Sequence, residues 1–94
     1  MYYFDWDENK NRINLEKHGI TFEEASTVFF DDRALLFDDP EHSIDEDRFL
    51  LLGMSDTAKV CIVCHCYRES DTVIRIISAR QATRKEEERY VRGI

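Results

Sequence analysis

Arg75 and Arg80 frame the stretch of this 94-residue chain in which reactive side chains and a clear backbone pattern coincide, T-V-I-R-I-I-S-A-R-Q-A-T-R-K-E-E-E-R-Y from Thr72 to Tyr90. Val73-Ile74-Arg75-Ile76-Ile77 is β-branched and apolar enough for an inner strand, yet it carries an arginine. Strand alternation predicts Arg75, Ile77 and Ala79 on one face and Ile74, Ile76 and Ser78 on the other. Arg80 stands at the strand's exit. Thr83 followed by Glu86 has the spacing of a capping box, which predicts a helix start. One guanidinium in mid-strand and another at its mouth would suit a place where anionic groups are held.

A second polar group lies near the N-terminus. Asp5 or Asp7 can cap a helix over residues 8–18, which Gly19 closes in the left-handed conformation. On that helix Lys10, Asn14 and Lys17 fall in one narrow sector with His18 beside them, bordering Trp6 and Ile13. A polar stripe along the core edge can line a cleft, so the site is expected between this helix and the sheet face bearing Arg75, closed by Arg80. The plainer alternative is that Lys17 and His18 only complement the helix dipole.

Two further clusters invite a metal reading and do not support it. C-I-V-C-H-C (Cys61 to Cys66) lies within a β run, where Cys61 and Cys64 point to opposite faces, and no second pair completes four ligands. Buried, reduced thiols and a packed His65 are expected instead. Residues 38–47 hold six acids, Asp38, Asp39, Glu41, Asp45, Glu46 and Asp47, without the glycine and ordered spacing of an EF-hand. A solvated loop is the expectation.

The elements that must position these groups follow from the pattern. Tyr2-Tyr3-Phe4 reads as a short strand. Thr21 with Glu24 marks a second helix start, with Ile20 and Ala25 as its staple and Phe22, Ala25, Val28 and Phe29 as its buried stripe. Short apolar runs at 34–37, 48–54, 59–67 and 72–80, joined by small polar links, predict a further strand and then a meander. The class is α+β, with a mainly antiparallel sheet of four to five strands, two N-terminal helices and one C-terminal helix. Residues 1–94 make one domain.

The formal charge of −7 argues at first against nucleic acid. Its distribution matters more: eleven acids against Arg33 and Arg48 between Thr21 and Thr57, but six basic residues against three acids from Arg75 to Ile94. One surface suits a basic partner and another suits phosphate. Neither a span of about 20 apolar residues nor a signal-peptide pattern is present, so a cytoplasmic location and no membrane partner are expected.

Taken together, F-D-W-D (Phe4 to Asp7), N-x-x-K-H-G-I-x-F-E-E-A (Asn14 to Ala25), V-F-F-D (Val28 to Asp31), D-R-F-L-L-L-G (Asp47 to Gly53) and R-I-I-S-A-R-x-A-T-x-x-E-x-x-x-Y (Arg75 to Tyr90) resemble the BrnT family. That family comprises toxins of bacterial type II toxin–antitoxin systems. The resemblance implies a RelE-like ribonuclease fold. It also implies an endoribonuclease silenced by a cognate antitoxin similar to BrnA, with operator DNA bound only through that antitoxin.

Metal-free RNA cleavage uses the 2′-hydroxyl as nucleophile and needs a proton acceptor, cations at the phosphorus and an acid for the leaving oxygen. No cofactor is called for. On this reading His18, Arg75, Arg80, Glu86 and Tyr90 are the candidate catalytic residues, and Lys10, Asn14, Lys17 and Arg48 the candidate RNA-binding residues. Glu86 is also the expected helix cap. A competing reading is a non-catalytic module that binds a basic partner through its acidic surface. Sequence-specific DNA binding by the chain alone is disfavoured, because no helix pairs a dense basic face with groove-reading residues.

Overall fold

The computed structural model describes residues 2–42 and 46–93. Its elements are β1 (Tyr3–Asp5), α1 (Glu8–His18), α2 (Phe22–Thr27) running into a 3-10 turn (Val28–Phe30), and β2 (Leu35–Asp38). A second 3-10 turn (Pro40–His42), β3 (Phe49–Met54), β4 (Val60–Arg68), β5 (Val73–Gln81) and α3 (Arg84–Arg92) complete them. The strands form one sheet in the order β1-β5-β4-β3-β2. Only β1 runs parallel to its neighbour, and the other pairings are antiparallel. The α+β class and the helix placement agree with the sequence pattern.

Local signals set the helix ends. Asp7 accepts hydrogen bonds from the main-chain N–H groups of Asn9 and Lys10, and Gly19 closes α1 at φ 71°. Thr21 caps α2 by accepting from the Glu24 N–H, but the box is not reciprocal. The Glu24 carboxylate instead accepts from Ser55 and Thr57 on the β3–β4 link. Thr83 and Glu86 form the complete box at the start of α3.

The sheet separates two apolar layers. On one face Ile20, Phe22, Ala25 and Val28 pack onto Leu51, Cys61, Val63, Ile76 and Ala79. Each large side chain buried here contributes roughly 1.5–3 kcal/mol, so this layer carries most of the hydrophobic stabilisation. On the other face α3 lays Tyr90 onto Leu52 and Ile62, and the Arg89 guanidinium sits over the Phe37 ring. That second layer is smaller and leaves part of its face open.

Two expectations are corrected. The alternation along β5 is broken, because Cys64 pairs with Ser78 while His65 pairs with Ile76, leaving Ile77 as an extra residue. Beyond this bulge the faces exchange. Ile76 and Ala79 both point to the α1–α2 layer, and Arg75, Ser78 and Arg80 share the α3 face with their β4 partners Cys66, Cys64 and Ile62. The second correction concerns α1. Its buried positions are Asn11 and Asn14, while Ile13 and Leu15 are exposed, so no apolar stripe docks this helix.

Hydrogen bonds hold α1 instead. Asn11 Oδ1 accepts from the Phe22 N–H and its Nδ2 donates to Glu23, tying α1 to α2. Asn14 Nδ2 donates to the carbonyls of Ile20 and Ala79, and Asn14 Oδ1 accepts from the Ala79 N–H. Because β1 pairs only with Val73, Ile74 and Arg75, the second half of β5 has no strand on that side among the described residues. Asn14 takes the place of one.

Candidate active site

A groove of about 380 Å³ opens on the α3 face, where α3 stops covering the sheet. Its floor follows from register. Leu50, Cys64 and Ser78 lie in a row across β3, β4 and β5, spanning about 10 Å at the usual strand spacing. The adjacent row, Leu52, Ile62 and Arg80, runs under Tyr90 at its β3 end and delivers Arg80 to the groove at its β5 end. Arg48, just before β3, and His18, at the C-terminus of α1, complete the lining, with Asp39 and Glu41 on the Arg48 side.

Asp39 is buried rather than solvated, and its N–H donates to the Arg48 carbonyl at 2.9 Å. Its carboxylate lies 3.9 Å from the Cys64 thiol. Burial, and then this negative charge, push the Cys64 thiol up, which keeps it a neutral floor residue. Glu46 is part of the same acidic segment and pairs with Arg68, whereas Asp45 lies outside the described residues.

Arg80 is held by several hydrogen bonds. Its two terminal nitrogens donate to the two oxygens of Glu86 at 2.8 and 3.0 Å, and one also donates to the Gln81 carbonyl at 3.2 Å. Glu86 Oε1 at the same time accepts from the Thr83 N–H. The hydrogen bond from Arg80, the main-chain donor and the guanidinium charge hold the Glu86 carboxyl down at about 2 against a burial penalty. The same pairing raises Arg80 above its ordinary value. Helix cap and arginine clamp are therefore one unit, and a carboxylate this acidic is a poor proton acceptor near neutrality.

Of the residues singled out in the sequence, His18, Arg48 and Arg80 line this groove, and Glu86 adjoins it through Arg80. Arg75 shares the face but lies two rows from Arg80, about 13 Å along the strands, and is ion-paired to Asp5 on β1. Lys10 and Lys17 are exposed on α1 away from the groove. Asn14 has both amide hydrogens and its oxygen engaged by main-chain groups, so it positions α1 against β5.

Tyr90 lies on the far side of α3, where its hydroxyl donates to Asp31 at 2.6 Å. Burial raises the Tyr90 phenol, and the bond to Asp31 adds to this. Burial also works to raise Asp31, but the N–H of Met54, the Tyr90 hydroxyl and the N–H of Arg33 outweigh it and hold that carboxyl low. The packed-histidine expectation for His65 is met. It is fully buried, its ring meets Phe29 edge-on at 4.8 Å, and burial lowers its pKa. Cys61 and Cys64 occupy opposite faces of β4, as alternation requires.

Ser78, Cys64 and Asp39 are groove residues that sequence reasoning did not select. Ser78 was visible as the one small polar residue between Arg75 and Arg80, but simple alternation assigned it to the wrong side of the strand. The arrangement can hold a phosphate between Arg48 and Arg80 and offer the His18 imidazole for proton transfer.

Residues 6–86 match the family model described as the ribonuclease toxin, BrnT, of a type II toxin–antitoxin system. The crystal structure of the Brucella abortus ribonuclease toxin BrnT superposes with a TM-score of 0.69 at 22% identity, covering 89% of this chain and 100% of that one. No curated protein matches the chain.

Proposed function

This chain belongs to the BrnT family of ribonuclease toxins of type II toxin–antitoxin systems, and we propose that it is an endoribonuclease whose active site is the groove between Arg48, Arg80 and His18. One observation carries the assignment: strand order and the bulge at Ile77 bring two guanidiniums and an imidazole from three separate elements around one open floor. In the proposed reaction the RNA 2′-oxygen attacks the adjacent phosphorus, the bond to the 5′-oxygen breaks, and a cyclic phosphate and a 5′-hydroxyl result. Arg48 and Arg80 hold the non-bridging oxygens, as donors aimed at developing negative charge. His18 moves a proton to or from the reacting oxygens.

The nucleophile belongs to the substrate, so this route requires no metal and DNA, lacking that hydroxyl, is not cleaved. Glu86 fixes the Arg80 plane rather than taking a proton. Arg75, Lys10 and Lys17 extend the positive surface along which RNA approaches. The silencing partner is a BrnA-like antitoxin, through which operator DNA is bound, and the setting is the cytoplasm.

The test is expression without antitoxin followed by assay of the purified protein on RNA in EDTA. Growth arrest and EDTA-resistant cleavage, both relieved by Arg80→Ala, support the reading. A wild-type protein that arrests nothing and leaves RNA intact would instead favour the non-catalytic interaction module.

A further inference from the structure

The opposite face of the sheet carries a second groove of contrary character. Beyond the end of the Val28–Phe30 turn the α1–α2 layer stops, and a groove of about 580 Å³ is lined by Tyr2, Leu36, Phe49 and Tyr67 together with Glu46, Asp47 and Asp71. Its face is fixed by register: Leu36 pairs with Leu51, and Phe49 pairs with His65. Phe49 and Tyr67 meet edge-on at 5.4 Å, and both ring systems rest against the buried His65. Tyr2 and Leu36 are more than half exposed, at 62% and 54%.

Among the described residues that lining holds three carboxylates and no cation. Glu46 is engaged by Arg68, which leaves Asp47 and Asp71 to set the sign of the rim. Such a surface repels phosphate and attracts ammonium or guanidinium groups, whose charge also favours the faces of aromatic rings. The groove runs beside β2, the last strand of the sheet, whose outer main-chain groups have no strand partner among the described residues. An edge strand of this kind accepts an added strand, which sends every second side chain onto the face where Leu36 lies.

Resting on the assignment of this chain to a toxin–antitoxin pair, we propose that this groove docks an extended segment of the antitoxin. The segment pairs along β2 and sets apolar and cationic side chains at alternate positions over Leu36, Tyr67 and the Asp47–Asp71 rim. This seat and the Arg48–Arg80 groove lie on opposite faces of the sheet. Docking here therefore anchors the antitoxin without itself covering the RNA groove, and silencing needs a second segment that reaches round the sheet.

The probe is a full-length BrnA-like antitoxin, titrated by calorimetry against toxin carrying Arg80→Ala so that both proteins can be produced. In that background Leu36→Lys, and separately Asp47→Asn with Asp71→Asn, are expected to weaken binding at least tenfold at low salt. Asn retains the left-handed conformation of Asp71, and circular dichroism checks that each variant is folded. In active toxin the two Asn substitutions are expected to leave RNA cleavage within about twofold. Antitoxin affinity unchanged in both variants overturns the proposal. So does unchanged affinity with a loss of RNA binding, which would make the groove an RNA subsite, or with a dimer-to-monomer shift in sedimentation, which would make it a self-interface. Wild-type toxin that cleaves no RNA removes the nuclease assignment and leaves the affinity test standing.

Discussion

The side chain of Asn14 takes both main-chain groups of Ala79, donating to the carbonyl at 2.8 Å and accepting from the N–H at 3.1 Å, as a neighbouring strand would. This pair holds α1 along the unpaired half of β5 and so delivers His18 to the groove. Hydrophobic docking does not do that work, because the buried positions of α1 are both asparagines.

Replacing Asn14 with Ala is expected to destabilise the protein by about 2–4 kcal/mol. Three hydrogen bonds are lost, each with a net worth of roughly 1 kcal/mol, and a buried N–H and two carbonyls remain unpaired. Asn14→Asp should be at least as damaging, since it turns two donors into acceptors facing carbonyl oxygens. Urea denaturation measures both. A loss below about 1 kcal/mol in each would mean that α1 is held by something else.

The Arg80–Glu86 pair separates clamp from catalyst. Arg80→Ala is expected to lower the cleavage rate at least a hundredfold with the fold retained, the scale seen when a charge-stabilising donor is removed. Glu86→Gln keeps a capping acceptor but loses the second carboxylate oxygen, so it should cost about tenfold and leave the shape of the pH–rate profile unchanged. If Glu86→Gln abolishes cleavage or removes one limb of that profile, Glu86 is a proton-transfer group after all.

What was legible in the sequence and what was not divides along physical lines. Asp7, Gly19 and Thr83 are local signals, because a cap acts on its own turn, and the helices end where these residues place them. The strands from β3 to β5 were likewise readable, since their apolar runs and polar links are contiguous. The bulge at Ile77 was not, because it depends on how β5 pairs with β4, and nothing within β5 announces it. Without it Arg75 falls on the face opposite Ser78 and Arg80.

The role of Asn14 depended on the length of a different strand. Only because β1 stops at Asp5 does β5 present open main-chain groups to α1. That Arg48 and Arg80 line one groove depends on strand order, which puts β3 and β5 on either side of β4. Types and local spacing singled out the cations. Long-range pairing decided which of them meet.

Tyr90→Phe tests the position of that residue behind α3. Loss of the 2.6 Å bond to Asp31 should cost about 1–2 kcal/mol of stability, because Asp31 also organises the N–H groups of Met54 and Arg33. The rate of RNA cleavage should stay within about threefold. A large fall in rate with undiminished stability would place the phenol in the chemistry.

Acid sensitivity follows from the depressed carboxylates. Glu86 titrates at about 2 in the folded protein against an ordinary 4.5, so its contribution is complete above about pH 4.5 and is lost as the pH falls towards 2. Glu24 and Asp31 are lowered too and act in the same direction. Arg80 is 42% exposed, so the screened contribution of the pair is put at about 1 kcal/mol, below what the shift alone would imply. The stability difference between wild type and Glu86→Gln should therefore shrink on acidification from pH 5 to pH 2.5. A difference constant across that range would show that the pair adds nothing to folding.

The charge imbalance between residues 21–57 and 75–94 bears on how fast the antitoxin is found. Eleven acids against two arginines in the first segment create a field that draws in a cationic chain before contact, and steering of this kind raises association rates. Ions screen charges separated by more than about 8 Å at physiological salt, so the benefit fades as salt is added. Contacts already formed in the complex are partly desolvated and feel salt less. Association measured by stopped flow should consequently slow at least tenfold between about 20 mM and 500 mM salt, while dissociation changes by less than about threefold. An association rate that stays flat over that range would assign the acidic surface some purpose other than capturing the antitoxin.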